Sequence, residues 1–282
     1  MDYRYDNGRR YHAYEQEKYR LPNDEREADR LVDLQHQISL LANDGKLFSA
    51  PIEEDKITHA LDIGTGTGLW AIEFADQHPS CSVIGTDLSP IQPTWVPPNC
   101  SFLVDDCEAT DNDWIFPPMD FIHSRFIIGG IKNWPALFKR AYNALKPGGW
   151  IEVHEPNLPI RCDDGTADSS HPMIQWSQHC RDACAKTGVD TTASERFVQQ
   201  LSDAGFINIV RQDHRWPIGA WSSNERDRLI GEYQIPNMTE AVNTTVAYFR
   251  RVLGWSEEEF EVFLAKCRTA NKDLNMHVYF PV

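Results

Sequence analysis

The sequence predicts an α/β fold, a parallel sheet covered on both faces by helices. Three observations predict it. Short apolar strand-like runs alternate with helical patterns from about residue 57. The glycine turn "GTGTG" at 64–68 sits directly between a strand and a helix. The next two strands also end in acids, at Asp87 and at Asp105 and Asp106. Right-handed crossovers leave such an order little topological freedom.

Residues 1–23 carry five tyrosines without a clean period and end at "LPND". A helix follows, with Asn23 or Asp24 as its cap and acids in the first turn. Leu31, Leu34, Ile38 and Leu41 make its apolar stripe, and "NDGKLFSAPIEEDK" breaks it. The strand "ITHALDI" and the helix "LWAIEFADQH" flank the glycine turn. "CSVIGTDLS", "CSFLVDDCE" and "MDFIHSRF" are the next three strands. "WPALFKRAYNAL" is a helix with Pro135 near its start, "KPGG" a turn and "WIEVHEP" a fifth strand. Past Pro156 a loop rich in turn formers leads to a helix at about 171–187 and another ending at Gly205. "INIVRQDHRW" is expected as a sixth strand, residues 222–270 as helices, and "MHVYFPV" as the last strand. The expected organisation is an N-terminal arm and helix (1–50) acting as a lid. A main domain (51–282) follows, with cap elements near 157–190 and 221–270.

Composition excludes several roles. A net charge of −15, from 27 basic and 42 acidic residues, would repel a phosphate backbone. No basic block appears, so nucleic acid is not the expected partner. The seven cysteines are scattered, with no CxxC pair, and suggest neither a metal site nor a disulfide framework. The first residues are unlike a signal peptide, and no apolar run reaches eighteen residues, so no membrane span is expected. The expected location is the cytoplasm, with the nucleus as the alternative.

Glycine in the turn permits tight bending and lets a ligand approach backbone N–H groups. Asp87 ends the next strand, where a carboxylate meets the two ribose hydroxyls of a nucleoside cofactor. Asp105 and Asp106 suit an adenine amino group. Their neighbours Thr65, Leu88 and Cys107 join Gly64, Gly66 and Gly68 as candidate contacts. The two candidates are a dinucleotide and S-adenosylmethionine. A dinucleotide turn spaces its glycines G-x-G-x-x-G, so that a helix N-terminus faces a pyrophosphate. Here the spacing is G-x-G-x-G and an acid, Asp62, lies two residues ahead. S-adenosylmethionine has no phosphate but carries a sulfonium and an ammonium, which an acidic pocket suits.

"LDIGTGTG" resembles the first motif of class I methyltransferases, and Asp87 and Asp106 match that class's ribose and adenine positions. "NGRRYHAYEQEKYRLPNDEREADRLVDLQH", "GKLFSAPI", "VIGTDLSPIQPTWVPPNC", "IKNWPALFKRAYNALKPGGWIEVHE", "RVLGWSEEE" and "HVYFPV" are similar to the fungal LaeA-like methyltransferases. The resemblance implies a Rossmann-like, seven-stranded, mostly parallel sheet with the last strand antiparallel. It also implies S-adenosylmethionine as cofactor and S-adenosylhomocysteine as product. Regulatory members carry a long polar leader where six residues precede "NGRRYH" here, and members often continue beyond "FPV". The short leader favours an enzyme acting on a small molecule of fungal secondary metabolism, with oxygen as the expected methyl acceptor. A regulator with a velvet-type protein partner, or a cofactor-binding protein without methyl transfer, are the alternatives. A homodimer is left open.

Removal of a proton from an oxygen nucleophile calls for a base, and histidine is the usual one. His154, at the end of the fifth strand, is the first candidate, because such sites open at the carboxyl ends of strands. His123 in the fourth strand and His12 in the arm follow. Ser124 and Arg125 stand where the class touches the methionine part of the cofactor. In the arm, Tyr11, Tyr14 or Tyr19 is a candidate closing residue, with Arg9 or Arg10 reaching a carboxylate.

Overall fold

The computed structural model describes residues 3–6, 8–15, 18–109 and 114–282. Strands β3 (His59–Ile63), β4 (Ser82–Asp87), β5 (Cys100–Val104), β6 (Met119–Arg125) and β7 (Leu145–His154) form one parallel sheet in the order β5-β4-β3-β6-β7. The chain leaves β3 first to one side and then returns to the other. The order therefore reverses between β3 and β6, and a crevice opens at their carboxyl ends.

The seven-stranded sheet implied by the resemblance is five-stranded here. β8 (Arg215–Pro217) and β9 (Tyr279–Pro281) pair antiparallel with each other as a separate ribbon. Of "INIVRQDHRW" only the end is strand. Ile207 and Val210 are 80% and 74% exposed, so the segment has no buried face to hold it in a sheet. The expected "KPGG" turn is a bulge within β7, where the register skips between Met119↔Leu145 and Phe121↔Trp150.

Helix α3 (Leu69–Gln77) covers one face of the sheet through Trp70, Phe74 and Phe121. On the other, α4 (Trp134–Ala144) and α6 (Phe197–Ala204) pack through Phe138 and Phe197 on Ile122 and Leu61. α5 (Pro172–Lys186) and α8 (Glu257–Ala270) share a separate cluster around Phe249 and Phe263, which Met238 and Val242 of α7 (Glu225–Thr244) join. Among the described residues no helix is long and apolar enough to cross a membrane.

The arm is more ordered than its sequence suggests. β1 (Tyr3–Asp6) and β2 (Arg9–His12) form an antiparallel hairpin. Asp24 caps α1 (Glu25–Asp29) by accepting from Glu27 N–H at 3.1 Å. The helix then winds as a π segment over Arg30–His36 before α2 (Gln37–Ala42). That wider winding alters the helical spacing, and only the Ile38 and Leu41 end of the expected stripe joins a core cluster. Leu31, Leu34 and Leu41 are half-buried, while Glu27, Gln35, His36 and Ile38 are buried.

Candidate active site

The glycine turn leaves β3 with Gly64, Gly66 and Gly68 at φ +68°, +58° and +83°. A Cβ at Gly64 would collide with Ile127 and one at Gly68 with the Phe102 ring. Both positions therefore need glycine for space as well as for conformation.

Beneath the turn, Asp62 has both carboxylate oxygens in use. Thr65 donates its hydroxyl to one at 2.6 Å, and His123 Nδ1 meets the other at 2.7 Å. A carboxylate only accepts, so Nδ1 carries a proton, and in the neutral ring Nε2 then holds the lone pair. Nε2 has no partner among the described residues. The His123 ring stacks on Trp70 at 3.9 Å and 5°.

Asp87, at the end of β4, accepts from Gly66 N–H at 2.9 Å and Ser89 N–H at 2.8 Å. Burial raises its pKa, and these two N–H groups pull against that rise. Past β5, Asp106 is buried and paired with Lys18 of the arm. Burial also raises Asp105, opposed by Arg140. The Cys107 thiol is pushed up to about 12, chiefly by burial, so it stays protonated and inert.

Arg125 is the unusual charge. Its Nη2 donates to His36 Nδ1 at 3.0 Å, and the other ring nitrogen of His36 bonds Glu73 at 2.9 Å. Among the described residues the Arg125 guanidinium has no carboxylate in ion-pair range. Burial lowers its pKa, with Asp62, Glu73 and Glu152 opposing from a distance. A buried guanidinium that meets only a neutral ring nitrogen and no carboxylate can receive an anion.

These groups share one cavity of about 340 Å³. Asp62, Gly64, Thr65, Gly66, Asp87 and Leu88 line one part of it. Asp105, Asp106, Cys107, His123, Arg125 and the arm's Tyr19 line the rest of the expected set. The other expected residues lie elsewhere. Gly68 caps α3, and Ser124 falls on the face of β6 opposite His123 and Arg125. Tyr11 is held between the Arg4 and Arg251 guanidinium groups, each 5.6 Å from its ring. His12 meets the carbonyl oxygens of Tyr14 (2.6 Å) and Tyr19 (2.7 Å), and so braces the arm. Arg9 and Arg10 reach carboxylates of the chain itself, Asp24 at 2.5 Å and Glu25 at 2.6 Å.

His154 is the larger correction. Its ring packs against Phe126 and Trp216, which themselves line the cavity at the glycine turn, and against His214. It opens instead onto a second cavity flanking β7. Burial, then the charges of Arg125, His123 and His214, depresses its pKa to about 3. The structure brings His123, not His154, to the cavity bordered by the glycine turn.

The sequence reading missed Lys18, Glu27, Arg30, Gln35, Gln234 and Asn237, all in the cavity wall. The available signal was polar residues at helical spacing on the side of the first helix that carries Ile38.

Residues 28–210 match the family model described as a methyltransferase domain. The methyltransferase pytC of Aspergillus terreus is 38% identical over 280 residues, covering 99% of this chain and 85% of the relative. The secondary metabolism regulator laeA of Aspergillus fumisynnematus is 33% identical over 278 residues, covering 97% and 73%. The Emericella nidulans protein-methionine methyltransferase laeA is 33% identical over 277 residues, again covering 97% and 73%. The chain belongs to the LaeA-like methyltransferase family. It is an S-adenosylmethionine-dependent methyltransferase, with the Rossmann-like fold of class I. The residues present fit this cofactor: an acid for the ribose at the end of β4, an acid past β5 for the adenine, and a buried guanidinium without a carboxylate partner for a carboxylate.

Proposed function

We propose that this methyltransferase transfers its methyl group to an oxygen of a small, largely apolar molecule in fungal secondary metabolism. The carrying observation is that the glycine turn and an apolar wall containing Trp176, Met238 and Tyr248 share one cavity. The cofactor supplies an electrophilic methyl on a sulfonium. Transfer forms the oxygen–carbon bond and breaks the sulfur–carbon bond, leaving a neutral thioether.

The chain's residues hold and orient. Asp87 would accept hydrogen bonds from the ribose hydroxyls, Asp106 would accept from the adenine amino group, and Arg125 would pair with the methionyl carboxylate. Thr65, Leu88, Asp105 and Cys107 complete the cradle with the glycine turn. His123 is the proton acceptor, its ring fixed by Asp62 and by the Trp70 stack. Much of the rate then comes from alignment of nucleophile and methyl. Residues 1–50 act as a lid, with Tyr19 in the roof and Lys18 latched on Asp106, and exclude water from the sulfonium.

A mass-spectrometric screen of a fungal metabolite extract with labelled cofactor tests this reading. A labelled small-molecule product is expected. Label found only in protein would overturn it in favour of the second reading. That reading is a regulator acting through a velvet-type protein partner, and it is supported by the relatives named as secondary metabolism regulators. In calorimetry, Asp87→Ala should weaken S-adenosylhomocysteine binding about tenfold or more, since a buried hydrogen-bonding group is lost. Unchanged affinity would remove Asp87 from the site.

A further inference from the structure

The wall formed by the first helix and α7 holds a chain of hydrogen bonds with a fixed direction. Glu27 accepts two bonds from Arg30, Nη2 at 2.6 Å and Nε at 2.9 Å. A guanidinium only donates, so the other Arg30 nitrogen, Nη1, must find acceptors. It finds Asn237 Oδ1 at 2.7 Å and Gln35 Oε1 at 3.1 Å. With its oxygen so fixed, Asn237 turns its amide nitrogen to Gln234 Oε1 at 2.7 Å. Both glutamines are thereby oriented oxygen-inward, and each is left with an NH2 group to place. Gln234 is 2% exposed and Gln35 8%, and both line the cavity. Neither NH2 has a partner among the described residues, and neither is sealed within protein.

Oriented buried donors that lack acceptors select for ligands that supply them. With Trp176 and Met238 nearby, the cavity combines an apolar body with a donor edge. We propose that Gln234 and Gln35 form a specificity edge for methyl acceptors bearing carbonyl, enolate or phenolate oxygens on an apolar ring system. Glu27, Arg30 and Asn237 are positioning residues that set the direction of that edge. This rests on the small-molecule reading above and deepens it from any small acceptor to an oxygen-edged one.

The test uses the full chain saturated with S-adenosylhomocysteine and two probes of similar size. One is 4-hydroxycoumarin, an enolate near neutral pH whose enolate and lactone oxygens accept; the other is naphthalene, which has no polar atom. Binding is read from the quenching of cavity tryptophans. Gln234→Met should weaken 4-hydroxycoumarin by about tenfold or more and leave naphthalene within about twofold. Asn237→Asp still accepts from Arg30 but can no longer donate to Gln234, which must then turn its oxygen to the cavity. That variant should weaken 4-hydroxycoumarin similarly and strengthen 1-aminonaphthalene, a reversal that general loosening would not produce. Equal weakening of both probes, no weakening of either, or no binding of either to the unaltered chain overturns the proposal. Calorimetry of S-adenosylhomocysteine on the same samples separates the cases. Lost cofactor-product binding in the unaltered chain would overturn the reading itself, whereas retained binding with no discrimination overturns only the donor edge.

Discussion

β6 and β7 lie side by side in parallel, with His123 opposite Glu152 and Arg125 opposite His154. Each strand offers a histidine near its carboxyl end, yet the two histidines live in different surroundings. His123 borders β3 at the point where strand order reverses, so Asp62 of that neighbour fixes its ring above the cavity. His154 is on the outer strand, behind Phe126 and Trp216, and burial leaves it a base of about pKa 3. A strand's place in the sheet, more than its carboxyl end, decides whether its polar residue serves the site.

The largest expected effect follows from that contrast. His123→Asn should lower methyl transfer to the acceptor about a hundredfold, and His154→Asn should change it by less than about threefold. S-adenosylhomocysteine affinity should hold in both, which separates proton transfer from binding. The opposite ranking would return His154 to the catalytic role and break the comparison.

Arg125 sharpens the same contrast one residue pair further on. Arg125→Met removes a charge-assisted donor from the cavity and should weaken S-adenosylhomocysteine about tenfold in calorimetry. His154→Leu, on the facing strand position, should leave that affinity unchanged. Equal losses would mean that Arg125 acts by holding the sheet end together rather than by meeting the carboxylate.

How much of this could be read beforehand divides along physical lines. The strands from "ITHALDI" to "WIEVHEP" were legible because each is a short apolar run closed by its own turn residues. Asp62 and Asp87 were legible because their spacing from Gly64 is local. Choosing His123 over His154 was not, since strand order is a property of long-range pairing. Arg30 and Gln234 were not legible either. Their bond through Asn237 joins residues far apart in the chain, and the π winding over Arg30–His36 hides polar residues inside what reads as a leucine stripe. The strand-like "INIVRQDHRW" misled for the converse reason: local propensity is weak when no buried face receives it.

The smallest expected effect concerns Glu155, the residue after His154, and it separates structure from catalysis at the β7 end. Its carboxyl accepts from Ile127 N–H at 3.0 Å and Ile128 N–H at 2.9 Å, while Phe126 N–H donates to His154 O at 2.9 Å. Together these pin the turn leaving β6, where Phe126 has φ +60°. Burial raises the Glu155 pKa from about 4.5 to about 8, and the two N–H groups only partly oppose it. Within that window the folded chain holds a proton that the unfolded chain releases, so rising pH favours unfolding. The stabilisation from this group is fully present below about pH 4.5 and is lost as pH climbs through about 8. Glu155→Gln cannot ionise and replaces an accepting oxygen with an NH2 that faces a backbone donor. The variant should melt lower than the unaltered chain near pH 5, with the gap closing by about 2 °C or more toward pH 9. His154, whose depressed pKa acts in the opposite sense on the acid side, is present in both proteins and cancels from the difference. A gap that stays constant with pH would show that Glu155 is ionised throughout. The β6 turn would then be held by a charge rather than by a neutral acid, and the two strand ends would be alike in carrying charge into the interior.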